Sequence, residues 1–183
     1  MQLASLFILY TLEIVLDSLA NFIYKRLLDA SNLSYQKLNF FMTQKQIELV
    51  KSSWSLVSAI DPIIVGDLFY NRLFEIAPQV KHMFRNPIPE QSKKLIAMIN
   101  YVIIKLDKLE DIIGEVGKLA QRHTNYGVKP EHYTIVGSAL IWTLGKGLGE
   151  FWNDELKEAW IECYTILSNA MISAANSETK EAA

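Results

Sequence analysis

The sequence predicts an all-α protein. Three observations carry that prediction: from Met42 onward apolar residues recur at intervals of three and four and not two, capping residues open the periodic stretches, and no strand pattern or internal repeat interrupts them. Half of the 183 residues are apolar, enough to bury a substantial core in one domain with a modest extension.

Thr43, with Gln46 three residues on, reads as a capping box ahead of a helix through Ile47, Val50, Trp54 and Val57. Asp61-Pro62 opens a second helix through Ile64, Leu68, Phe69 and Leu73, and Pro78 limits it. A short segment leads to Phe84. Asn86-Pro87-Ile88-Pro89 then reads as an extended connector, because two prolines block helix continuation. A longer helix is expected from about residue 90 to about 106 on Leu95, Ile99 and Val102. The next, 109–123, has Glu110 and Asp111 near its positive N-terminal end and Gly127 shortly after its close. Helices over 131–148 and from 154 to about 174 complete six main helices. Trp160, Tyr164, Leu167 and Met171 form one core stripe, and Val136, Leu140, Leu144 and Gly147 another. Residues 177–183 read as a polar, frayed tail.

Composition excludes more than it assigns. Eighteen basic residues against twenty acidic ones, with no long run of either sign, give no surface for nucleic acid. The single cysteine, Cys163, makes no internal disulfide, which fits a reducing, cytoplasmic setting; its apolar neighbours predict burial. No cysteine cluster, Gly-rich phosphate loop or Gly-x-Ser-x-Gly motif occurs, so any metal falls to histidine or carboxylate.

Two of the three histidines lie in RHTNYGVKPEHY (122–133). On a helix, Leu119, Val116 and Ile112 precede His123 by four, seven and eleven positions, which puts His123 on an apolar face. A histidine there is by default a core residue bonded to a carbonyl. It reads as a ligand if Phe84, Gln91, Leu95 and the aromatic second helix line a slot opposite, a shape that suits a flat ring with a central metal. His82, two residues before Phe84, reads as exposed.

From about 42 to 171 the chain resembles the globins, in particular the single-domain bacterial haemoglobins related to the haem domain of flavohaemoglobins. The pieces that carry the likeness are LFYNRLF (68–74), PQVKHMF (78–84), QSKKL (91–95), the 122–133 stretch and Ala159-Trp160, in that order and spacing. The NPI-then-QS connector is similar to that of the Hell's Gate type of globin. The resemblance implies helices A, B, C, E, F, G and H around haem b, iron protoporphyrin IX. It makes His123 the proximal ligand and leaves His132 off the iron. Tyr133 matches a tyrosine that helps orient the proximal histidine, although it also reads as a packing tyrosine. The family's glutamate partner for that tyrosine is missing, since the matching place reads Ala174-Ala175 and the next carboxylate is Glu178. On the distal side the match implies Tyr70, Gln91 and Leu95 near the gas ligand and Phe84 against the haem face. Leu119 and Val128 complete the proximal lining. Lys94 and Arg122 read either as partners of the haem propionates or as solvated cations.

The first 41 residues read as a separate extension. Glu13, Asp17, Asn21 and Lys25 fall at steps of four across the apolar stretch 1–28, which favours an amphipathic helix, a peripheral membrane contact, over a spanning one. A self-docking helix and an over-extended start, with synthesis beginning at Met42, are equally open. The implied function is reversible binding of oxygen, carbon monoxide and nitric oxide at ferrous iron. Its alternatives are nitric oxide dioxygenation with a separate reductase, since 183 residues leave no room for flavin and nicotinamide domains, and gas sensing.

Overall fold

The computed structural model describes residues 42–108 and 113–181, the side chains at 113, 114 and 177–181 excepted. The chain divides into two units, Met1–Phe41 and Met42–Ala183. The amphipathic helix expected over 1–28 and the linker after it lie outside the described residues, as do Glu110 and Asp111. All regular structure among the described residues is helical: α1 Gln44–Val57, α2 Pro62–Ile76, a 3-10 turn Pro78–Met83, α3 Ile88–Ile104, α4 Ile113–Asn125, α5 Pro130–Leu148, a 3-10 turn Gly149–Phe151, and α6 Asp154–Glu181.

The helix starts follow their caps. Thr43 and Gln46 exchange hydrogen bonds, with the Gln46 amide donating to Thr43 Oγ1 at 3.2 Å and the Thr43 amide to Gln46 Oε1 at 2.8 Å. The Ile63 amide donates to Asp61 Oδ1 at 2.8 Å, and Pro62 sits where its missing N–H costs nothing. At α5 the cap is His132, whose Nδ1 accepts from the Lys129 amide at 3.1 Å.

Four boundaries differ from expectation. Helix α3 starts at Ile88, inside the stretch expected to be extended, because Pro89 occupies a first-turn position where proline is tolerated; only Pro87, at ψ 141°, is extended. It also ends at Ile104, with Leu106 in a following turn. Helix α4 runs two residues past His123 before Gly127, at φ +79°, takes the left-handed conformation that ends it. Helix α6 continues through Glu178 to Glu181, since nothing after Ala174 is a glycine or proline and glutamate and lysine favour helix.

The core of one end joins α1 to α6. Trp54 and Trp160 meet edge to face with centroids 6.0 Å apart, and Trp160 Nε1 donates to Ser53 Oγ at 3.0 Å. Cys163 lies buried beside them, and burial, reinforced by Glu162, pushes its thiol up to about 12. In the second stripe Leu144 is buried but Gly147 is exposed; Leu148 takes the inward place because four residues of true helix from Leu144 point back to the core.

Helix α2 crosses α3 at a pair of small residues. A Cβ on Gly66 would overlap the Ser92 Cβ and Oγ and stand 2.7 Å from its Cα. Ser92 is fully buried there and donates from Oγ to the Ile88 carbonyl at 2.8 Å.

Gly66→Ala should therefore force the two helices apart and cost about 1–3 kcal/mol, lowering Tm by roughly 3–10 °C in a thermal melt followed by circular dichroism. Cys163 should resist alkylation by iodoacetamide in the native protein and react fully in denaturant, as mass spectrometry would read.

Candidate functional site

Two apolar clusters form the walls that hold the candidate residues, and α5 contributes to both. The first gathers Phe69, Tyr70 and Leu73 of α2, Val80 and Phe84, Leu95 of α3, and Val136, Ala139 and Leu140 of α5. Tyr70, 4 % exposed, meets Phe84 edge to face at 5.3 Å and lies tilted against Phe74 at 5.9 Å. Burial pushes its phenol up to about 12, so the ring keeps its O–H as a donor at physiological pH.

The second wall gathers Val102 of α3, Val116, Leu119 and Ala120 of α4, Tyr133 of α5, and Leu167 and Met171 of α6. His123 lies stacked on Tyr133, with centroids 6.4 Å apart and planes 21° from parallel. Its Nδ1 is 2.9 Å from the Leu119 carbonyl oxygen. A carbonyl only accepts, so Nδ1 carries the proton and Nε2 of the neutral ring carries the lone pair. Desolvation lowers the His123 pKa, and Arg122 adds to the lowering against the opposing Leu119 bond. The neutral, ligating form is thereby favoured.

Helices α3 and α4 share one buried cluster. Val102 near the end of α3 belongs to the same cluster as Val116 early in α4, and Glu115 on α4 raises the pKa of the Tyr101 phenol. Elsewhere among the described residues α4 packs broadly on α6 and very little on α3 or α5. Apart from that cluster, none of the buried clusters joins α3 to α4 among the described residues.

The remaining candidates separate by exposure. Gln91 is half-buried one turn before Leu95, and within the described residues its side-chain amide makes no hydrogen bond. Lys94 and Arg122 are exposed. Val128 is half-buried, and its amide donates to the His123 carbonyl at 3.0 Å, which folds the turn after α4 back onto the histidine. His82 is exposed, with Nδ1 2.6 Å from the Gln79 carbonyl, and His132 is spent on the α5 cap. The Glu178 side chain lies outside the described residues. Sequence reasoning reads Val136 and Leu140 as general core, yet they back the Tyr70 wall. It also passes over Tyr101 and Gly66, whose partners are distant in the chain; the one local signal is the i, i+4 spacing of Tyr70 and Phe74.

A family model named Globin matches residues 67–171, more than half of the chain. The chain belongs to the globin family. Its curated relatives include the flavohemoprotein of Vibrio cholerae, 28% identical over 134 residues that cover 72% of this chain and 34% of the relative. The flavohemoprotein of Rhodopirellula baltica is 34% identical over 72% of this chain and 33% of its own length. This globin therefore spans about a third of the length of those relatives. Among solved structures, the bacterial globin from Campylobacter jejuni superposes with TM-score 0.66 at 27% identity, over 75% of this chain and 99% of that one. The same fold is seen in an engineered carbene transferase from Rhodothermus marinus at TM-score 0.68 and 21% identity, over 76% and 96%. Membership of the globin family implies haem binding. Among the described residues no single helix is long and apolar enough to cross a membrane.

Proposed function

We propose that this globin holds haem b between its two walls and reversibly binds oxygen and other diatomic gases, storing, scavenging or delivering oxygen. The observation that carries the reading is His123: its Nδ1–H is anchored on the Leu119 carbonyl, which orients the Nε2 lone pair for a metal. When bound, haem supplies a ferrous iron with one coordination position for a gas. The residues fit such a group. Phe84, Leu95, Leu119 and Val128 offer apolar surface for a flat macrocycle, and the exposed cations Lys94 and Arg122 suit its propionates. The lone cysteine is buried, so no paired thiols are present to attach the ring covalently.

Tyr70 and Gln91 supply the polar character of the gas pocket. Tyr70 presents an O–H whose ring is braced by Phe74 and Phe84, whereas Gln91 must freeze a longer side chain to donate. A polar ligand such as oxygen gains from those donors, and carbon monoxide gains far less. On the proximal side Nδ1 meets a neutral peptide carbonyl, a weaker acceptor than a carboxylate, so His123 donates less electron density than a carboxylate-bonded histidine would.

A second reading, conversion of nitric oxide and oxygen to nitrate, draws on the flavohemoproteins among the relatives. It requires electrons from a reductase, and the likeness covers only about a third of those proteins. Nitric oxide consumption at turnover rates with a reductase added, and not without one, would favour it.

His123→Ala should abolish stable haem incorporation or leave iron that external imidazole rescues, while His82→Ala and His132→Ala keep a near-normal visible spectrum; unchanged coordination in His123→Ala would refute the assignment. Tyr70→Phe should speed oxygen release about ten- to a hundredfold, as loss of roughly 1.4–2.7 kcal/mol requires, and Gln91→Leu by less. Carbon monoxide release should change much less in both, and equal effects on the two gases in ligand-replacement kinetics would indicate steric control instead.

A further inference from the structure

Ring contacts decide where the Tyr70 hydroxyl points. Among the described residues that hydroxyl makes no hydrogen bond, so no polar group of the protein fixes its direction. A phenol oxygen lies on the long axis of its ring, and a ring flip about that axis leaves the oxygen in place. The donor moves only when the whole ring swings about the Cα–Cβ bond. Whatever packs against the ring therefore aims it.

Phe69, Phe84 and Phe74 meet the Tyr70 ring with centroids 5.0, 5.3 and 5.9 Å away. Phe74 and Phe84 are themselves 5.5 Å apart with planes at 66°, so Tyr70, Phe74 and Phe84 close a triangle in which no ring swings without displacing another. Phe84 is also part of the surface offered to haem. Phe74 is not: it stands one turn beyond Tyr70 on α2, half-buried, and packs against the Tyr70 cluster. A cation steadies it. Lys81 Nζ lies 5.7 Å from the centroid of the Phe74 ring, and Lys81 is exposed and, among the described residues, in no ion pair. Its carbonyl accepts from the Phe84 amide at 3.2 Å. Lys81 thus ties two corners of the triangle, one through its side chain and one through its backbone.

We propose that Phe74 and Lys81 are positioning residues for the gas ligand: Lys81 holds the Phe74 ring, and Phe74 holds the Tyr70 hydroxyl in its donating direction. The inference rests on the proposed role of Tyr70 and deepens it, since an exposed lysine then takes part in setting oxygen release. The test uses the full-length, haem-loaded protein and reads oxygen release, carbon monoxide release and, by resonance Raman, the iron–carbon stretch of the carbon monoxide complex, which reports the polarity beside the gas. Phe74→Leu should speed oxygen release roughly three- to tenfold, less than Tyr70→Phe, and Lys81→Met about twofold. Carbon monoxide release should stay nearly constant in both. The stretch should move from its wild-type value toward that of Tyr70→Phe, and Phe74→Tyr, which keeps the ring, should stay near wild type. Because Phe74 acts through the hydroxyl, the double variant Tyr70→Phe with Phe74→Leu should release oxygen no faster than Tyr70→Phe alone. Lys81 is on the surface, so circular dichroism and the haem spectrum of Lys81→Met should match wild type and show an intact fold. Full additivity in the double variant, or wild-type oxygen release in both Phe74→Leu and Lys81→Met, would overturn the positioning role while Tyr70 keeps its own. No effect of Tyr70→Phe itself would overturn the reading of the gas pocket and this inference with it.

Discussion

Where α2 crosses α3, the absence of a side chain at Gly66 lets Ser92 sit fully buried in the space a Cβ would fill. That close approach sets the position of everything farther along both helices. One turn beyond Gly66 on α2 stands Tyr70, and one turn on either side of Ser92 on α3 lie Ile88 and Ile96, with Gln91 and Leu95 between. Moving the helices apart by the width of one methyl would widen the wall that holds Tyr70, Phe84 and Leu95 in one cluster. Ser92 suits the crossing for a second reason, since its hydroxyl is satisfied by the Ile88 carbonyl of its own helix and leaves no unpaired polar group at the contact.

The two walls differ in how their polar groups are treated. On the α2 side the Tyr70 hydroxyl is buried among aromatic rings, which keeps it protonated and available as a donor. On the α4 side the proton of His123 is committed to the backbone one turn earlier, and the lone pair is left facing outward from the helix. The first arrangement favours a polar ligand, the second a metal. Neither depends on an ionised side chain inside the protein, which avoids the cost of burying charge.

Helix α5 is shared by both walls. Its inner residues Val136, Ala139 and Leu140 back the Tyr70 wall, Tyr133 stacks on His123, and Thr134 and Ser138 face solvent. The 3.6-residue period makes this division possible, because residues two positions apart point to different sides of the helix. The Tyr164 hydroxyl donates to the Tyr133 carbonyl at 2.7 Å, which ties α6 to the start of α5 close to the histidine.

Local chemistry determined much of this protein from the sequence alone. The capping pair Thr43 and Gln46, the Asp61-Pro62 start and Gly127 after α4 act over three or four residues, so they are legible without any tertiary contact. The same holds for the apolar face of His123, since Leu119 and Val116 belong to its own helix. The helix ends near Pro89 and Ala174 depart from expectation because propensity and first-turn tolerance are weak, competing preferences. Tertiary structure alone decided which side chains meet across the chain. Gly66 finds Ser92, Val102 finds Val116, and Val136 finds the Tyr70 wall only once the helices have packed, and the spacing of residues along the sequence carries no record of distances set by packing.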